Sequence, residues 1–176
     1  DKGSGMSMLE ISHRSPLFEE VNDQAQAHIK ELLGMDDSWA VVFMGGGATL
    51  QFSMIPMNFL TPGKTAAYAI TSTFTEKAIK EAQKVGNAVE IYSSKATGLD
   101  RVPRPEELVL PDNCAYLHLT GNCTAEGLEY FEYTDTGDVP LIVDMSSDIL
   151  SRPIPLAKFS LIYNGAKKNI VPAGVT

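Results

Sequence analysis

Two adjacent lysines, Lys167 and Lys168, stand just beyond an apolar run, Phe159 to Tyr163, and directly after the small residues Gly165 and Ala166. An arbitrary lysine pair does no more than solvate a loop. Here the preceding residues are those of a backbone passing through a tight interior, which predicts a lysine partly withdrawn from water. Such a lysine has a lowered pKa and acts as a nucleophile able to form an imine. Asp144 ends another apolar run, "VPLIVD". A carboxylate there suits a partner cation, a metal or a cofactor nitrogen; capping the following turn through its side chain is the equal alternative. Gly45-Gly46-Gly47 precedes a helical pattern, where free amides and the helix dipole favour a phosphate. A tight strand–helix turn explains those glycines equally well, and they match neither the spaced dinucleotide fingerprint nor the P-loop. Thr124, in "TGNCTAEG", reads on its own as a turn residue, although its hydroxyl is of a kind that binds ligands. His118, inside "CAYLHL", reads as packed or locally bonded. A lysine for an aldehyde, a carboxylate for a pyridinium nitrogen and amides for a phosphate are what pyridoxal phosphate requires.

The elements that must position these groups follow from pattern. Ser15-Pro16 opens a helix, with Glu19 and Glu20 in its first turn. Phe18, Val21, Ala25, Ile29 and Leu32 keep helical spacing up to Gly34. "WAVVFM" (Trp39–Met44) reads as a strand, and "ATLQFSMIPMNFL" as a buried helix kinked at Pro56. "AAYAI" reads as a strand, followed by a capping box, Thr73 to Glu76, that opens a helix to about Val85. "AVEIYS", "CAYLHL", "VPLIVD" and "FSLIYN" complete the strands, with a loop over 94–113 carrying a short helix near Pro105–Leu108. Strands alternating with helices, each strand continuously apolar, predict one α/β unit: a three-layer αβα sandwich around a mostly parallel sheet.

At 176 residues, with 44% hydrophobic and 20% charged residues, the chain can bury one substantial core. A net charge of −8 argues against a general nucleic-acid binder. No apolar stretch reaches the length of a membrane span, so neither nucleic acid nor membrane is an expected partner. Cys114 and Cys123 match no metal spacing, no metal site is expected, and two cysteines suit a reducing, cytoplasmic setting. The start inside a glycine-rich loop and the stop at "VPAGVT" read as those of a piece of something longer.

The stretches "GSGMSMLEISHRS", "GGATLQFSMIPMN", "VDMSSDILSRPI" and "YNGAKKNIVPAG" resemble phosphoserine aminotransferase, a fold-type I, class V family dependent on pyridoxal phosphate. The resemblance runs in order from Gly3 to Gly174. It implies transfer of an amino group from glutamate to 3-phosphohydroxypyruvate in serine biosynthesis, by a homodimer. By position it makes Lys168 the Schiff-base lysine and proton carrier, and Asp144 the partner of the pyridine nitrogen. Ala48 and Thr49 would hold the phosphate, Thr124 would hydrogen-bond the ring, and Phe74 would stack on it where the family usually has Trp. Lys167 replaces the family's Gln in Gly-Ala-Gln-Lys-Asn and would lie beside the cofactor, repelling protonated Lys168 or helping to bind phosphate. Arg14 would take the substrate carboxylate as a two-pronged donor, with His13 near the substrate's anionic end. Residues 1–176 would be part of the cofactor-binding large domain, without the family's N-terminal segment, the rest of that domain or the small C-terminal domain. Two other readings are another fold-type I reaction, and a non-catalytic remnant binding a phosphate ligand or partner chain.

Overall fold

The structure, a computed structural model, describes residues 3–170 and 175–176. The 171–174 part of the last family motif lies outside the described residues. The chain divides into two compact units, Asp1–Val42 and Phe43–Thr176.

The first unit carries α1 (Pro16–Leu33), and its ends are those the sequence announces. The Ser15 side chain accepts from the Phe18 amide at 3.2 Å, with Pro16 at the first helical position. Gly34 closes the helix in the left-handed region, φ 68°, and the Met35 amide reaches back to the Lys30 carbonyl at 2.8 Å.

The second unit holds α2 (Gly47–Phe59), β1 (Thr65–Ile70), α3 (Thr73–Val85), β2 (Ala88–Ser93), β3 (Cys114–Thr120), β4 (Asn122–Cys123), β5 (Leu128–Glu129), β6 (Leu141–Asp144) and β7 (Leu161–Tyr163). Five strands form one sheet in the order β2-β1-β3-β6-β7, every pair parallel. Alternation assigns the two faces. Tyr68, Tyr116, Ile142 and Tyr163 pack in one cluster with Phe52 and Ile55 of α2 and Ala78, Ile79 and Ala82 of α3. The residues between them, Ala67, Leu117, Leu119 and Val143, are also fully buried, so both faces of the sheet are covered as parallel strands require.

Two local expectations are corrected, and three details are added. Among the described residues Trp39–Met44 forms no strand: Met44 and Thr176 exchange paired backbone hydrogen bonds, both at 2.9 Å, and a strand exists only where neighbours supply partners. The cap of α3 is Ser72 rather than Thr73, its hydroxyl accepting from the Thr75 amide at 3.1 Å. That shift frees Glu76 for Lys95, 3.5 Å away. The turn near Pro105 is a single 3-10 turn, Pro105–Glu107. The β4–β5 hairpin is an addition, because two-residue strands carry no periodicity to read. The α2 helix runs through Pro56, which removes only the hydrogen bond its own missing N–H would have made.

Truncating Ile142, fully buried between both helices and the sheet, is expected to cost about 2–5 kcal/mol in urea unfolding as Ile142→Ala. Met57→Ala, on the exposed side of α2, should stay within about 0.5 kcal/mol of the parent.

Candidate functional site

Because the sheet is parallel, the carboxyl ends of its strands share one edge, and strand order reverses there between β1 and β3. Ligands bind at such an edge. Thr124, Asp144, Lys167 and Lys168 all follow or end strands on it.

Asp144 is 4% exposed. Its Oδ1 accepts from the Ser146 amide at 2.9 Å and from the Ser146 hydroxyl at 2.6 Å. The Gly165 amide in turn donates to Ser146 Oγ at 2.8 Å, tying the exit of β7 to the turn after β6. Burial pushes the Asp144 carboxyl above its usual range, while hydrogen bonds from Ser146 and Tyr163 pull the other way. Among the described residues no ion pair reaches it. The turn-capping alternative is therefore what the contacts show: Ser146 satisfies part of the carboxyl, and among the described residues no ion pair uses the rest.

The N-terminus of α2 lies beside this group. Gly46 caps the helix at φ 98°, and a Cβ there would come within 2.5 Å of Leu50 Cδ2. No side chain caps the helix, and its first turn holds no acid. Gly165 faces that turn: a Cβ on it would stand 3.5 Å from Ala48 Cβ and 3.7 Å from the Ala48 nitrogen. Ala48 is half-buried and Thr49 exposed. Amides at a helix start without a side-chain cap fit an anion such as a phosphate.

Lys168 donates from Nζ to the Thr124 hydroxyl at 3.4 Å, so two residues 44 apart in sequence meet. The expected desolvation of the lysine is corrected: burial ends at Ala166, and the turn beyond it leaves both Lys167 and Lys168 exposed. Phe74, at the start of α3, is 47% exposed with Lys77 Nζ 5.1 Å from its ring centre. The preceding Thr73 amide donates to Glu126 Oε1 at 3.0 Å, which fastens the start of α3 to the Thr124 turn. Hydroxyls continue the tie inward, Ser72 to Thr75 at 2.9 Å and Thr75 to Thr120 at 3.1 Å. His13 and Arg14 are exposed residues of the other unit, immediately ahead of the α1 cap.

Sequence reasoning missed Ser146, Tyr163 and Glu126. The Asp-x-Ser spacing was a signal for the first. The other two depend on which strands and turns lie side by side. No group of three or more His, Cys, Asp or Glu among the described residues is arranged to hold a metal, and no described helix is long and apolar enough to cross a membrane.

The aminotransferase class-V model matches residues 2–176. This chain belongs to the class-V aminotransferase family. Phosphoserine aminotransferase from Niallia circulans is 50% identical over 173 residues, covering 98% of this chain and 48% of that protein. The solved phosphoserine aminotransferase from Bacillus circulans subsp. alkalophilus superposes with a TM-score of 0.95 at 50% identity, over 98% of this chain and 48% of that one. The pyridoxal-phosphate-bound phosphoserine aminotransferase from Trichomonas vaginalis gives 0.90 at 34% identity, over 98% and 51%. The chain thus spans about half the length of the relatives it matches. The family's fold, a mostly parallel α/β sheet with helices, is the one observed.

A second buried acid gives this edge a pH signature. Asp148 is 4% exposed, and its Oδ1 has no hydrogen-bond partner. Burial and the nearby Glu129 raise its pKa to about 6, against the opposing pull of Arg152. An acid with a raised folded-state pKa adds stability below its unfolded value of 3.8 and loses that contribution as pH rises through about 6. Relative to Asp148→Asn, the parent should therefore lose stability between pH 4 and pH 7, measured as the difference in urea midpoints.

Proposed function

We propose that this chain is part of the cofactor-binding large domain of a phosphoserine aminotransferase, acting with pyridoxal phosphate to move an amino group from glutamate to 3-phosphohydroxypyruvate. One observation carries the reading. A lysine amine bonded to a threonine, a buried carboxylate without a protein cation and an uncapped helix start converge on one sheet edge. The donor set fits the cofactor group by group: amine for aldehyde, carboxylate for ring nitrogen, amides for phosphate.

Bound there, the cofactor supplies an aldehyde and a pyridine ring that takes up electrons. The chain's residues do the rest. Lys168 would hold the aldehyde through Nζ and would serve as the base that moves a proton at the substrate's α carbon. Asp144 keeps a proton on the ring nitrogen, an arrangement its burial strengthens because no water competes. The amides at Ala48 and Thr49 hold the phosphate, and Thr124 supplies a hydroxyl to the ring. Phe74 offers a face for stacking without the indole N–H of a Trp. Lys167 adds a second positive charge near the phosphate. Arg14 binds the substrate carboxylate, with His13 at the substrate's anionic end. The setting proposed is cytoplasmic serine biosynthesis, in a homodimer.

The test is direct labelling. Incubation with pyridoxal phosphate, borohydride reduction and peptide mapping should place one pyridoxyl group on Lys168, and none on the cofactor-binding peptide of Lys168→Ala. Label scattered over exposed lysines such as Lys77, Lys80 and Lys158 would sink the reading.

A further inference from the structure

Glu126 reaches from the hairpin turn that carries Thr124 to the start of the helix that carries Phe74. Its Oε1 accepts from the Thr73 amide at 3.0 Å, between positions 53 apart in sequence. Its Oε2 is buried and has no hydrogen-bond partner among the described residues. Nor does any ion pair among those residues hold this side chain. A carboxyl group set into the protein for one amide, with its second oxygen left over, is a costly anchor.

Capping of α3 does not require that anchor. Ser72 already serves the first turn: its hydroxyl accepts from the Thr75 amide at 3.1 Å, and its carbonyl from the Glu76 amide at 3.2 Å. Thr73 stands at the first helical position, where a helix leaves its amides without internal partners. Glu126 converts that spare donor into a link between distant parts of the chain. Phe74 comes next in sequence and is 47% exposed, so the backbone on either side places its ring more than packing does.

The other end of the link is stiff. Cys123 pairs with Leu128, the Gly127 amide donates to the Cys123 carbonyl at 2.8 Å, and Gly127 takes the left-handed conformation, φ 72°. At the root of the turn the Ser147 hydroxyl donates to Asn122 Oδ1 at 2.9 Å. The same Oδ1 accepts from the Thr124 hydroxyl at 3.4 Å. Thr124 and Glu126 therefore move as one piece, and the Thr73 amide ties that piece to Phe74.

We propose that Glu126 is a positioning residue: it sets the Phe74 ring relative to the Thr124 hydroxyl, so that one aromatic ligand ring can stack on the first and hydrogen-bond the second. The identity of that ring rests on the cofactor reading above; the link between helix start and turn does not.

Two experiments on the full chain decide it. Without cofactor or variant, NMR should detect a coupling across the hydrogen bond between the Thr73 nitrogen and the Glu126 carboxyl carbon. Glu126→Ala should then shift both the Phe74 ring and the Thr124 methyl signals, and leave Ile142 in the core unmoved. A missing coupling, or Phe74 signals unchanged in the variant, overturns the proposal. The second experiment is a double-mutant cycle on affinity for pyridoxal phosphate. Glu126→Ala should weaken binding about fivefold in the parent, the worth of one hydrogen bond. In a chain already carrying Phe74→Leu the same change should cost about twofold or less, because no stacking ring is left to place. An equal loss in both backgrounds shows that Glu126 does not act through Phe74 and overturns the proposal. If the parent binds no pyridoxal phosphate, the cofactor reading fails, and the NMR result still decides whether Glu126 sets Phe74 and Thr124 together.

Discussion

An aspartate buried at the end of a central strand, with no protein cation beside it, is expensive to keep ionised. Asp144 is held by donors instead: the Ser146 amide and hydroxyl, both on one oxygen. The hydroxyl is itself held, since the Gly165 amide donates to Ser146 Oγ. The neighbouring elements are constrained in turn, because β7 must lie beside β6 to bring Tyr163 across from Asp144, and Gly165 must pass close to the start of α2.

The parallel sheet is what turns distant sequence into one site. Side-by-side strands with their carboxyl ends aligned bring positions 124, 144 and 168 to one edge without any local motif linking them. The hairpin turn that carries Thr124 is anchored twice, by Glu126 to the start of α3 and by Ser147, whose hydroxyl donates to the Asn122 carbonyl at 3.1 Å. Lys168 is the exception to this rigidity. It is exposed, and its amine meets the Thr124 hydroxyl at 3.4 Å.

What could be read from the sequence is what is local. Ser15-Pro16 and Gly34 bound α1 because caps and breakers act within a turn. The apolar runs around Ala67, Leu117 and Ile142 became adjacent parallel strands because both their faces are buried. Asp144, Thr124 and Lys168 were legible as strand-end residues, and the family resemblance supplied their roles. Trp39–Met44 forms no strand among the described residues, because an apolar run becomes a strand only beside a partner. The exposure of Lys168 was missed because small residues before it say where the chain is tight, not where tightness ends. His118 read as a packed residue, and it is packed. That its ring backs Tyr163 depends on the order of strands, which no spacing in this sequence encodes.

The central claim is that Asp144 is a carboxylate reserved for a ring nitrogen. Binding of pyridoxal phosphate should be compared with binding of its 1-deaza analogue, which replaces that nitrogen by carbon, in the parent and in Asp144→Ala. The parent should prefer the nitrogen-bearing ring by about tenfold or more, the worth of one hydrogen bond to a charged group, and the variant should bind the two equally. Equal affinity of the parent for both rings would contradict it.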